Sequence, residues 1–174
     1  MTATPEPDRS AEILLQVWRD SDPADPGPPV ARVEALYGTT PEDPGPAYEL
    51  ASTYDWAGRE GAARGLYEQA LAGGLDPVRE RAARIRLGST LRVLGRAEQS
   101  VAVLQEAVRR HPDSAAARCF LALALTDAGR APEAVALLVQ LACDTVDTPE
   151  MRDYRRALTA YAVQRDPAPA TGDL

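Results

Sequence analysis

Three stretches of the chain align without a gap: Leu50-Ala51-Ser52-Thr53-Tyr54-Asp55-Trp56-Ala57-Gly58-Arg59, Leu87-Gly88-Ser89-Thr90-Leu91-Arg92-Val93-Leu94-Gly95-Arg96, and Leu121-Ala122-Leu123-Ala124-Leu125-Thr126-Asp127-Ala128-Gly129-Arg130. Each reads Leu, a small residue, two small or variable residues, Tyr or Leu, three more residues, then Gly-Arg. The glycines are 37 and 34 residues apart. A Leu with a Tyr or Leu four positions later puts two large apolar groups on one face of a helix. Ala51, Gly88 and Ala122 keep the adjoining position small, so that a second helix approaches closely. Gly58, Gly95 and Gly129 stand where the first helix must end, and a left-handed residue there costs glycine least.

A second helix is expected after each glycine. It carries a small residue five positions on (Ala63, Ser100, Ala134) and a larger apolar residue four further (Tyr67, Leu104, Leu138). Ala70 and Ala107 complete the small positions, which Leu141 breaks in the third copy, and Pro77 and Pro112 punctuate the junctions. Paired helices at this period are the pattern of the tetratricopeptide repeat. The fold expected is all-α, a right-handed superhelical solenoid of helix-turn-helix units. The repeats fall at about 44–77, 81–114 and 115–148. The first has about two extra residues at Ala72-Gly73-Gly74, and a short connection follows at Pro77-Val78-Arg79-Glu80.

Working outward, Pro149 to Arg165 reads as a capping helix with Met151, Tyr154, Leu158, Tyr161 and Ala162 on one face and Arg152, Arg155 and Arg156 on the rest. A solenoid cap must cover the last apolar face with a wettable exterior. Residues 166–174 read as a disordered tail. Residues 1–43 form a separate segment. Ala11 to Trp18 is an amphipathic helix with Ser10 or Asp8 as its N-cap, and Ser21 to Pro29 is a Pro/Asp-rich linker. Val30 to Tyr37 is a short helix closed by Gly38, and a turn region from Thr39 to Pro46 leads into the first repeat. Leu15, Trp18, Val33 and Leu36 are expected to cap the front of the solenoid.

Composition narrows the function. Of 174 residues 45% are apolar and 5% aromatic, which suits closely approaching helices better than strands. All 19 basic residues are arginine and the net charge is −7, so no nucleic-acid or anionic-membrane partner is expected. No stretch approaches the roughly 20 apolar residues needed to span a bilayer. The acidic start, Met1 to Asp8, is unlike a secretory signal. A cytoplasmic location follows as the expectation, with Cys119 and Cys143 reduced.

Beyond the generic repeat, the chain resembles a family of small bacterial tetratricopeptide-repeat proteins. The resemblance rests on Tyr48-Glu49-Leu50-Ala51-Ser52-Thr53-Tyr54-Asp55, Leu71 to Leu75, Arg86 to Arg96, Phe120 to Arg130, Tyr154-Arg155-Arg156-Ala157-Leu158 and Tyr161-Ala162, and extends from about Leu15 to about Ala162. It implies an α-solenoid that forms a homodimer. It implies no reaction.

In such a solenoid the first helix of each repeat lines the concave side. The expected groove residues are Tyr48, Ser52, Asp55 and Trp56 from the first repeat, then Ile85, Arg86, Ser89, Arg92 and Val93 from the second. Cys119, Leu123, Thr126 and Asp127 follow from the third. Trp56 and Arg92 are the candidate anchors for a bound polypeptide, since Trp and Arg dominate interface energies. The alternative is that Trp56 packs on the next repeat and Arg92 is simply solvated. The Lys and Asn set that grips a C-terminal carboxylate in chaperone-binding domains is missing. That role would fall to Arg86 and Arg92, so a chaperone adaptor is not expected.

An enzyme is not expected either. The single histidine, His111, lies in the turn His111-Pro112-Asp113, and the nearest nucleophile in sequence, Cys119, falls inside the following helix. One His and two distant Cys give no zinc spacing. Asp22, Asp25 and Asp43 read as solvating charges, and there is no phosphate loop or dinucleotide fingerprint. No cofactor is expected. Two non-enzymatic readings remain: a scaffold that binds a polypeptide in the groove, and a homo-oligomer whose main interaction is with itself.

Overall fold

The computed structural model describes residues 25–39 and 43–163, together with Arg19 and Asp22. The regular elements among them are helices: α1 (Gly27–Thr39), α2 (Pro44–Trp56), α3 (Glu60–Gly73), α4 (Pro77–Val93), α5 (Ala97–Arg110), α6 (Ala115–Asp127), α7 (Ala131–Thr145) and α8 (Pro149–Val163). Consecutive helices pack on one another from α1 to α8, and the first helices of the repeats also meet directly, α2 with α4 and α4 with α6. That pairing in chain order makes the molecule an α-solenoid.

The repeated Gly-Arg is a helix stop that works three times. Gly58, Gly95 and Gly129 have φ of 70°, 69° and 75°. The following Arg59, Arg96 and Arg130 amides reach back to the carbonyls of Tyr54, Leu91 and Leu125 at 2.8, 2.8 and 2.7 Å. The glycine amides donate to Asp55, Arg92 and Thr126 at 3.1, 2.9 and 3.0 Å. These are the two bonds of a Schellman ending. The first helix of each repeat is capped by a side chain: Asp43 accepts from the Gly45 amide, Asp76 from the Val78 and Arg79 amides, and Ser114 from the Ala117 amide.

Inside, one cluster joins Ala47, Tyr48, Ala51, Ala63, Tyr67, Ala70, Ala83, Leu87 and Leu91. A second joins Val101, Leu104, Leu121, Ala122, Ala124, Leu125 and Ala134. The small positions are what let the helices approach. A Cβ at Gly88 would stand 2.7 Å from both Cδ atoms of Leu104 and nearer still to its Cγ. The same closeness lets the buried Ser100 hydroxyl donate to the Gly88 carbonyl at 2.7 Å.

Several expectations need correction. Pro77 to Glu80 is no connection but the first turn of α4, with Asp76 as cap and Pro77 at the first helical position, where the missing N–H has no partner to lose. Gly27 to Pro29, expected in a linker, form the first turn of α1, where prolines forfeit no intrahelical hydrogen bond, and Gly38 lies inside that helix. Val33 is buried against Leu50, with Leu36 beside them, as expected of a front cap. Leu15, Trp18 and the helix expected at Ala11 to Trp18 lie outside the described residues.

The far end departs most. Tyr67 and Leu104 are fully buried, but their counterpart Leu138 is 43% exposed. Helix α8 packs on α7 without comparable packing on α6. Met151 and Leu158 are half-buried, while Tyr154 and Tyr161 are 62% and 67% exposed. The helix therefore leaves part of its apolar face in water, beside the exposed Arg152, Asp153 and Arg156. One 34-residue period beyond Leu121, where the repeats place a core leucine, stands Arg155. Its NH2 donates to the Val146 carbonyl at 3.1 Å and its Nε is buried without a hydrogen-bond partner. Its NH2 also lies 3.6 Å from Asp147 Oδ1 and its side chain is partly exposed, so a polar residue stands where the repeats place a core leucine.

Candidate functional site

The face formed by α2, α4 and α6 is the surface expected to bind. Its side chains divide into a buried layer, a stapled layer and an exposed layer. Tyr48 and Ser52 belong to the first. Tyr48 is buried with its ring tilted 55° against Tyr67, centroids 6.3 Å apart. The Ser52 hydroxyl donates to the Tyr48 carbonyl at 2.9 Å. Both were expected to face the groove. They form its floor instead, because Tyr67 of α3 reaches across and covers them.

The stapled layer holds neighbouring first helices at a set distance. The Thr90 hydroxyl on α4 lies 3.0 Å from Asp55 Oδ1 on α2, and Tyr67 OH lies 3.5 Å from the other carboxylate oxygen. One repeat further on, Arg92 Nε of α4 pairs with Asp127 Oδ2 of α6 at 2.6 Å. Arg92 is thus neither simply solvated nor free for a ligand. Both links span 35 residues, so they join equivalent helices of successive repeats. Thr90 was missed from sequence, although its separation from Asp55 matches that of Arg92 from Asp127.

Burial raises the Asp55 pKa above its usual value, against the lowering pull of the Thr90 hydrogen bond and the nearby Arg86. Burial likewise pushes the Tyr67 phenol well above its ordinary range, so it stays a neutral donor. An unfolded aspartate titrates near 3.8. The folded chain binds this proton more readily, so the cost of burying the ionised form is fully present above the folded pKa and fades as pH falls through it. An Asp55→Asn variant is expected to gain stability relative to wild type at pH 7, and that advantage shrinks toward pH 4. Urea midpoints of both proteins at the two pH values check it; a constant difference means Asp55 titrates as an ordinary aspartate.

The exposed layer is what a partner would touch. Val93 is 67% and Leu123 48% exposed, and Cys119, Thr126 and Arg86 are also exposed. Ile85, Ser89 and Trp56 are half-buried beside them. The Thr126 hydroxyl is turned inward, donating to the Ala122 carbonyl at 2.9 Å.

His111 lies apart from this face. Its Nε2 is 2.6 Å from Glu80 Oε2, and Arg84 pairs with the same carboxylate, so the histidine ties the α5–α6 turn to the start of α4. Burial opposes ionisation of Glu80, yet its His111 and Arg84 partners hold its pKa below the usual range. Asp43 is a helix cap. Among the described residues no three His, Cys, Asp or Glu side chains converge as a metal site would require, and no helix is long and apolar enough to cross a membrane.

A model of the tetratrico peptide repeat family matches residues 44–164, which takes in α2 to α8. The chain belongs to that family. Among solved structures, a MamA RS-1 ArsTM double mutant is similar with a TM-score of 0.61 and 16% identity over 92% of this chain and 99% of that one. At that identity the likeness concerns the fold alone. No curated protein matches the sequence. Tetratrico peptide repeats are in general scaffolds for contacts between proteins, and the open row of first helices is the surface such scaffolds offer.

Proposed function

We propose that this protein is a non-enzymatic, cytoplasmic scaffold that binds a polypeptide segment along the face lined by α2, α4 and α6. The supporting observation is the exposure of Val93 and Leu123, large apolar side chains on a face whose neighbouring charges, Arg92 and Asp127, are already paired with each other. Apolar side chains left in water beside a rigid, internally satisfied floor favour a partner that buries them. The groove residues that serve this reading by facing a partner are Trp56, Ile85, Ser89, Cys119, Leu123 and Thr126, with Asp55 and Arg92 stapling the helices and Tyr48 and Ser52 beneath them. A Val93→Glu/Leu123→Glu variant and the wild-type protein, used as baits in the native cell, provide the test by quantitative mass spectrometry. Partners retained by wild type and lost from the variant support the groove. An identical set of partners counts against it.

A second reading, self-association into a homodimer, is favoured by the end of the solenoid. Val146, Met151, Tyr154, Leu158 and Tyr161 line an apolar groove of about 490 Å³ on α8. Light scattering on the full chain and on a chain beginning at Asp43 would separate a monomer from a dimer, and show whether residues before the repeats are needed. A monomer in both removes this second reading.

A further inference from the structure

The charge on the first-helix face is unevenly spent. Asp55 gives one carboxylate oxygen to Thr90 and the other faces the Tyr67 hydroxyl. Arg92 is taken by Asp127. Arg86, on the same helix as Arg92, has no carboxylate within 4 Å among the described residues, although it lies close to the Tyr67 hydroxyl and feels the Asp55 charge from farther off. Arg86 is exposed as a residue, with its guanidinium partly buried where it meets Tyr67, and that group carries five donors in a planar fork. The molecule around it has a net charge of −7, so this is a local cationic point on an acidic body.

Seven residues on, and therefore on the same side of α4, stands the exposed Val93. At 1.5 Å per residue the two are about 10 Å apart along the helix. In a polyproline II segment, with three residues per turn and a rise of about 3.1 Å, residues three positions apart lie on one side of the chain about 9 Å apart. Leu123 of α6 adds a second apolar contact on the same face.

Resting on the groove reading above, we infer that the preferred ligand is a peptide segment in polyproline II conformation in which an internal Glu or Asp side chain pairs with Arg86 while a large apolar residue three positions away covers Val93 and Leu123. The chain has neither the Lys nor the Asn that grip a chain-terminal carboxylate in chaperone-binding domains, and Arg92 is held by Asp127, so the acid is assigned to a side chain.

The test uses acetylated, amidated, fluorescein-labelled octapeptides read by fluorescence polarisation. They carry Glu and Leu three apart in either order, with Gln-for-Glu versions, versions that place Glu and Leu adjacent, and versions left unamidated with a free C-terminus. Wild-type protein is expected to bind one Glu/Leu order about tenfold more tightly than its Gln version. Arg86→Met should abolish that preference, Arg86→Lys should keep part of it, and Arg96→Met, in the α4–α5 turn, should leave it intact. Circular dichroism confirms that each variant is folded. Equal binding of Glu and Gln peptides, a preference that survives Arg86→Met, or binding only by peptides with a free C-terminus overturns the inference while leaving the groove in place. Failure of every peptide to bind overturns the groove reading and this inference with it.

Discussion

Tyr67→Ala is expected to lower stability by about 3–5 kcal/mol, the usual cost of deleting a large ring from a packed interior. Tyr67 is fully buried and touches both the floor of the groove, through Tyr48, and the staple between repeats, through Asp55. The ring does most of this, because its hydroxyl contacts to Ser52 and Asp55 are long, at 3.4 and 3.5 Å. Tyr67→Phe should therefore cost less than about 1 kcal/mol. For a chain of this size the alanine loss corresponds to a drop on the order of 10 °C in melting temperature. A melt followed by circular dichroism separates the two variants; equal losses would mean that the hydroxyl network, not the ring, holds the first two repeats together.

Gly88→Leu should be comparably harmful for the opposite reason. The site has no room: even a Cβ would overlap the branched carbons of Leu104, which is itself fully buried. Overpacking of this kind costs about 3 kcal/mol where neighbours cannot move, and it would also push apart the Ser100 hydroxyl and Gly88 carbonyl. Leu104→Ala alone should cost about 2–5 kcal/mol through the cavity it leaves. Combining the two is the informative experiment. If Gly88 and Leu104 share one volume, the double variant is more stable than the sum of the single losses predicts. Simple additivity would place the contact elsewhere.

How much of this was readable beforehand depends on the range of the interaction responsible. The helix stops at Gly58, Gly95 and Gly129 were legible because a left-handed residue and two backward hydrogen bonds are decided within six residues. The tight positions Ala51, Gly88 and Ala122 were legible because the period repeats them. Asp76-Pro77 was misjudged because a proline after an aspartate marks a turn and the first turn of a helix equally well. Tyr48 and Ser52 looked like groove residues by helical register. Only the reach of Tyr67 from a different helix hides them. The exposure of Leu138 depends on where α8 docks, which no local pattern contains. That Arg86 is left without a carboxylate partner at salt-bridge distance was equally hidden, since it follows from Asp127 claiming Arg92 and Thr90 claiming Asp55.

Arg155 has a consequence for how the molecule opens. With a guanidinium nitrogen buried and unbonded in place of a leucine, α8 is held mainly by α7, and its aromatic side chains add little because they stand in water. In a linear array each unit is steadied by its neighbours, so the terminal helix should detach long before the middle melts. Amide protons of 155–160 would then exchange with solvent far sooner than those of 87–91. The C-terminal helix becomes the part of the molecule that a second protein could lift away without disturbing the groove.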